Sequence, residues 1–166
     1  LKASGSTATL TFIGTGNYLA AAKRLAEKLV LGERVVFLGQ LPREKVLTIY
    51  EEFDAMLFPS LHDTGGFAVI EAMYNELPVI CLDCGGPAVA VREGCGIKVP
   101  VRNRPQVING LAEAIRRYDQ NRPMLLSHGK AAHASILENY DWEKKGDQMN
   151  EVYQEIFNSA SAGRKG

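Results

Sequence analysis

The chain carries no net charge: nineteen Lys and Arg balance nineteen Asp and Glu over 166 residues. No whole-chain field draws it to nucleic acid or to an anionic membrane, so any anion recognition has to be local. Long apolar runs are also lacking, and none approaches the roughly 18 residues a membrane-spanning helix needs. The first residues, LKASGSTATL, do not follow the charged-then-apolar order of a secretory signal. Cysteine is scarce, with three residues at positions 81, 84 and 95. Cys81-Leu-Asp-Cys84 has the spacing of a redox pair or half a zinc site. Yet Cys81 closes an apolar strand rather than opening a helix, and a structural zinc needs four ligands. Structural or incidental thiols, no metal, and a reducing cytoplasmic setting are the expectation.

What is present is ordinary for one globular domain: 46% hydrophobic and 23% charged residues in a chain long enough for a single packed core. Short apolar runs at 9–13, 34–38, 54–58, 79–82 and 96–99 read as strands. Between and after them, 18–31, the stretch from Pro42 through Tyr50, and 104–119, 122–137 and 142–158 read as helices, while Gly85-Gly86-Pro87 reads as a loop. Strands alternating with helices argue for βαβ units, hence an α/β fold with a doubly wound parallel sheet. One domain over 9–158 is expected, with a disordered start at 1–8 and a disordered tail at 159–166.

In such sheets ligands bind beyond the carboxyl ends of the strands, and those points here are Gly14, Gly39, Pro59 and Cys84. Gly14-Thr-Gly16 follows a strand and precedes a helix, but Leu19 stands where a dinucleotide fingerprint has its third glycine. Gly39-Gln40, not an acid, ends the second strand, which argues against NAD. The richest stretch is 58–80, FPSLHDTGGFAVIEAMYNELPVI. Thr64-Gly65-Gly66-Phe67 would form a helix N-terminus whose free N–H groups and dipole suit a phosphate. Asp63 and Glu71 bracket it, and carboxylates accept hydrogen bonds from sugar hydroxyls without donating. Glu71 lies in an otherwise apolar helix, so it needs partners if buried.

This stretch resembles the motif of the retaining GT-B glycosyltransferases of family 4, the glycosyl transferases group 1. The resemblance is carried by Pro59, Ser60, Asp63, Gly66, Phe67, Glu71, Ala72, Met73, Pro78, Val79 and Ile80. Asp63 stands where the family usually has glutamate, and Val89 where a glutamate follows the second glycine pair. The resemblance implies a Rossmann-like half of a GT-B enzyme that binds a nucleoside-diphosphate sugar, UDP- or GDP-hexose. Asp63 would contact the donor sugar, and Glu71 the ribose hydroxyls. Gly65, Gly66 and Phe67 would offer N–H groups to the diphosphate, with His62 beside it. Gly14 and Gly16 would line the cleft floor, and Gln40 would begin the base-contacting segment.

Tyr140-Asp141-Trp142 resembles the signature opening the family's last helix, with Asp141 as its N-cap and Trp142 structural. None of this chain's basic residues matches the arginine–lysine pair with which the family neutralises the leaving diphosphate. The partner implied is an acceptor-binding domain preceding this one. Without it the chain is expected to be inactive alone, and any peripheral membrane association would run through that domain. The activity implied is hexosyl transfer with retained configuration to a glycan or lipid-linked acceptor in polysaccharide biosynthesis. A non-catalytic nucleotide-sugar-binding module and an epimerase-like enzyme on the same fold are the alternatives.

Overall fold

The computed structural model describes residues 6–162. In order they form β1 (Leu10–Ile13), α1 (Leu19–Lys28), β2 (Val35–Gly39), α2 (Arg43–Ile49), β3 (Met56–Phe58), α3 (Phe67–Tyr74) and β4 (Val79–Leu82). Then come α4 (Gly85–Ala90), β5 (Gly96–Val99), α5 (Arg104–Gln120), α6 (Arg122–Asn139) and α7 (Trp142–Ala162). Every strand pairing is parallel. The hydrogen bonds divide the strands into two sheets, β1–β2 and β3–β4–β5, where the sequence suggests one. All three residues of β3 are registered on β4. A strand that short has few groups left for a ladder along its other edge.

β4 sets the layering, because its four residues are all buried. Val79 and Cys81 join one core with Val69, Ala72 and Met73 of α3 and Ala132 and Ile136 of α6. Ile80 and Leu82 join a second core with Val99 of β5 and Ala114 and Tyr118 of α5. Successive strand residues point to opposite faces, so a continuous apolar strand requires helices on both sides. That is the doubly wound arrangement.

Two Asn-Arg-Pro tripeptides start α5 and α6 in the same way. The side chains of Asn103 and Asn121 each accept a hydrogen bond at 3.0 Å, from the N–H of Gln106 and of Met124. The proline in each first turn lacks an N–H that would have had no intrahelical partner. Asp141 caps α7 in turn, accepting from Glu143 N–H at 3.0 Å and Lys144 N–H at 3.3 Å.

Three boundaries differ from the sequence expectation. Gly85-Gly86-Pro87 opens the short helix α4 instead of remaining a loop. Helix α7 continues to Ala162, through part of the stretch expected to be a disordered tail, and 163–166 lie outside the described residues. At the other end, 1–5 lie outside them too. Ser6 is buried, and the Thr7 hydroxyl donates to Asp119 Oδ1 at 3.3 Å. Trp142 is 87% exposed among the described residues, so it takes no part in this domain's core.

Candidate functional site

The loop between β3 and α3 is closed by its own aspartate. Gly66, at φ 62, takes the left-handed conformation that glycine adopts without strain. Its N–H donates to Asp63 Oδ1 at 2.5 Å, and its carbonyl accepts from Ile70 N–H at 2.9 Å as the first turn of α3. One donor expected to face a diphosphate is therefore used inside the loop, and one oxygen of Asp63 with it. Phe67 and Ala68 follow in the first turn of α3, where helix geometry leaves N–H groups without intrahelical acceptors.

The second glycine pair has a definite job. The N–H of Gly86 donates to the Asp63 carbonyl at 2.9 Å. A Cβ on Gly85 would lie 2.6 Å from the Asp63 carbonyl oxygen, and one on Gly86 would lie 2.4 Å from that of Thr64. The start of α4 thus presses directly on the Asp63–Thr64 backbone and holds the loop from behind. Val89, where the resembled family has a glutamate, is 72% exposed.

A cavity of about 350 Å³ opens over this loop, lined by His62, Asp63, Thr64, Gly65, Phe67 and Ala68. Four of the expected site residues thus share one concavity: His62, Asp63, Gly65 and Phe67. The ring of Phe67 lies against Gly65 and is otherwise exposed.

Glu71 is one turn further along α3, and its partner is a residue that sequence reasoning missed. Arg43, the first residue of α2, donates from Nε at 3.0 Å and from Nη2 at 2.5 Å, both to Glu71 Oε1. The side chain of Glu71 is 26% exposed and that of Arg43 70%. Nearby Tyr50 is buried, and that burial, then the charge of Glu71, push its hydroxyl pKa up, with Arg43 opposing. A cation in the first turn of a helix opposes the helix dipole. That was the one signal in the sequence that Arg43 is held by something else.

The glycines at the ends of β1 and β2 are joined to each other: Gly14 N–H donates to the Gly39 carbonyl at 2.6 Å. Gly14 and Gly16, at φ 124 and 157, have open space where a Cβ would be, and Gln40 is exposed just beyond. None of Gly14, Gly16 and Gln40 lines the cavity over the α3 loop.

A larger cavity of about 600 Å³ lies among Arg92, Glu93, Gly94, Gly96, Lys98, Arg117, Met124 and His128. It includes the first residue of β5, away from the carboxyl ends of the strands, and contains none of the expected site residues. Size alone does not make it the ligand site, since parallel α/β sheets bind at the carboxyl edge. Burial pushes the Cys81 thiol up to about 11, which suppresses the thiolate that redox exchange would need. No helix among the described residues is long and apolar enough to cross a membrane.

Parallel strands with helices packed on both faces of β4 define an α/β, Rossmann-like fold of the kind that makes up one half of a GT-B glycosyltransferase. The model of the family "Glycosyl transferases group 1" matches residues 1–135, and the chain belongs to that family. Over 143 residues it is 31% identical to the D-inositol 3-phosphate glycosyltransferase of Nocardia farcinica, covering 84% of this chain and 31% of that protein. Over 147 residues it is 31% identical to the sulfoquinovosyl transferase of Arabidopsis thaliana, covering 88% and 28%. The chain therefore spans only about 30% of the length of these curated relatives.

Among solved structures, sucrose-phosphate synthase from Thermosynechococcus elongatus aligns with a TM-score of 0.73 at 27% identity, covering 91% of this chain and 39% of that one. The C-terminal domain of a glycosyl transferase group 1 protein from Francisella tularensis shares the fold, with a TM-score of 0.68 at 18% identity. That alignment covers 81% of this chain and 70% of the other. Anabaena HepE, crystallised with UDP-glucose, shares it too, with a TM-score of 0.66 at 21% identity, covering 89% and 41%.

Proposed function

We propose that the chain is the donor-binding part of a retaining glycosyltransferase. It would take a hexose from a nucleoside-diphosphate sugar and pass it to a glycan or lipid-linked acceptor bound by a separate domain. The observation that carries this reading is the α3 loop, where a helix N-terminus and an acidic side chain share one cavity and Glu71 lies a turn beyond. Family membership and the complex of HepE with UDP-glucose support the same ligand class.

In this reading the first-turn N–H groups of Phe67 and Ala68 donate to the diphosphate, and His62 lies beside it. Asp63, with one oxygen on Gly66 N–H, turns the other to the sugar hydroxyls. Glu71 accepts from the ribose, Gln40 begins the base-side segment, and Gly14 and Gly16 keep the cleft floor clear of side chains. Negative charge grows on the diphosphate as the glycosidic bond breaks. Oriented N–H dipoles stabilise that charge more in the transition state than in the ground state. Neither acid has to act as a nucleophile. On this reading the chain holds the donor while a separate domain binds the acceptor, and the donor part is inactive by itself. Its three free thiols fit a cytoplasmic setting.

A non-catalytic nucleotide-sugar-binding module is the second reading. It is favoured by exposed Val89 in place of an acid and by the engagement of Asp63 within its own loop. Calorimetric titration with UDP, GDP, ADP and their glucose and mannose conjugates tests both. The donor reading expects selective binding to one base that is lost in Glu71→Ala, and hexosyl transfer once an acceptor domain is joined. Binding without transfer in the joined enzyme would favour the module.

A further inference from the structure

Arg43 and Glu71 are 28 residues apart in the chain, on different helices, and meet at the carboxyl edge. Both guanidinium hydrogen bonds go to one carboxylate oxygen, Oε1, at 3.0 and 2.5 Å. A carboxylate oxygen has about two acceptor sites, so this geometry fills Oε1 and leaves the acceptor capacity of Oε2 for a ligand. An ion pair whose arginine is 70% exposed adds little to stability. A cation on the first residue of α2 gains nothing from the helix dipole either. Stability therefore does not account for the contact.

We propose that Arg43 is a positioning residue of the donor site. It holds the Glu71 carboxylate in one orientation, with Oε2 turned to the ribose diol. It also links that carboxylate to the base-side segment, because it directly follows Gln40, Leu41 and Pro42. The consequence is a preference for ribonucleotides over their 2′-deoxy counterparts that depends on Arg43. This inference rests on the nucleotide-sugar reading of the site.

The test is titration of the chain and its Arg43→Ala and Arg43→Lys variants with UDP, GDP, ADP and the 2′-deoxy form of each, alongside thermal melting. The expected result is a roughly tenfold ribose preference for the bound base, the size of one lost hydrogen bond to a charged group. In Arg43→Ala the ribonucleotide weakens about tenfold, the deoxy form hardly changes, and the preference collapses. Arg43→Lys recovers part of it, and all three proteins melt alike. A full ribose preference in Arg43→Ala would overturn the role, as would equal weakening of both forms with a lowered melting temperature. Equal binding of both forms by the unaltered chain would remove the Glu71–ribose contact itself. No binding of any nucleotide would instead sink the donor-site reading, and the role of Arg43 with it.

Discussion

Asp63 and Gly66 close the α3 loop on itself: the Gly66 N–H reaches Asp63 Oδ1 at 2.5 Å while the Asp63 carbonyl accepts from Gly86 N–H at 2.9 Å. The acid expected to touch the donor sugar is thus also the piece that shapes the loop. Asp63→Ala should cost about 1 kcal/mol of stability, the usual loss for a helix-start acceptor. Asp63→Asn keeps an acceptor oxygen and should cost less. Urea unfolding of the two variants checks this, and an unchanged midpoint in Asp63→Ala would show that the loop does not depend on the contact.

Gly86→Ala should be far worse than its chemistry suggests. The added Cβ would meet the Thr64 carbonyl oxygen at 2.4 Å, and a backbone atom cannot swing aside. A destabilisation of about 1–3 kcal/mol is expected, typical of overpacking, together with weaker nucleotide binding as the loop is pushed outward. Unfolding and titration of the same variant measure both, and wild-type values in both would contradict the packing argument.

That prediction also marks where the sequence could be read and where it could not. The apolar run at 79–82 coincides with β4 because a strand buried on both faces has a pattern no loop imitates, and the run at 96–99 coincides with β5, where Ile97 and Val99 alternate with exposed Lys98. Asp63, Glu71 and the glycine loop were legible because they lie within nine consecutive residues. Gly85-Gly86 read as a loop, since nothing local reveals that another backbone lies against it. Arg43 was missed for the same reason: its partner is 28 residues away.

Ser135 on α6 is buried, and its hydroxyl has no hydrogen-bond partner among the described residues. Burying an unpaired hydroxyl is costly. Ser135→Ala should therefore raise stability by about 1 kcal/mol, seen as a higher melting temperature. A clear loss of stability would mean that the hydroxyl is satisfied after all.

His128 predicts a pH dependence. Its Nδ1 lies 2.9 Å from the Tyr118 hydroxyl, and burial first, then Arg117, hold its pKa below 6.5. The unfolded chain then binds the proton more readily than the folded one, so stability is complete above about 6.5 and falls as pH drops toward the folded value. Melting temperature should decline between pH 7 and 5, and the slope should be shallower in His128→Gln. Identical slopes would exclude this histidine as the source.

The central claim is that the nucleotide-sugar lies over the α3 loop, and amide NMR of the chain titrated with UDP-glucose and GDP-mannose tests it most directly. The account predicts the largest shifts at Gly65, Gly66, Phe67 and Ala68, with further changes at Arg43 and Glu71. Shifts confined to Arg92, Gly96, Arg117 and His128, around the larger cavity, would contradict it.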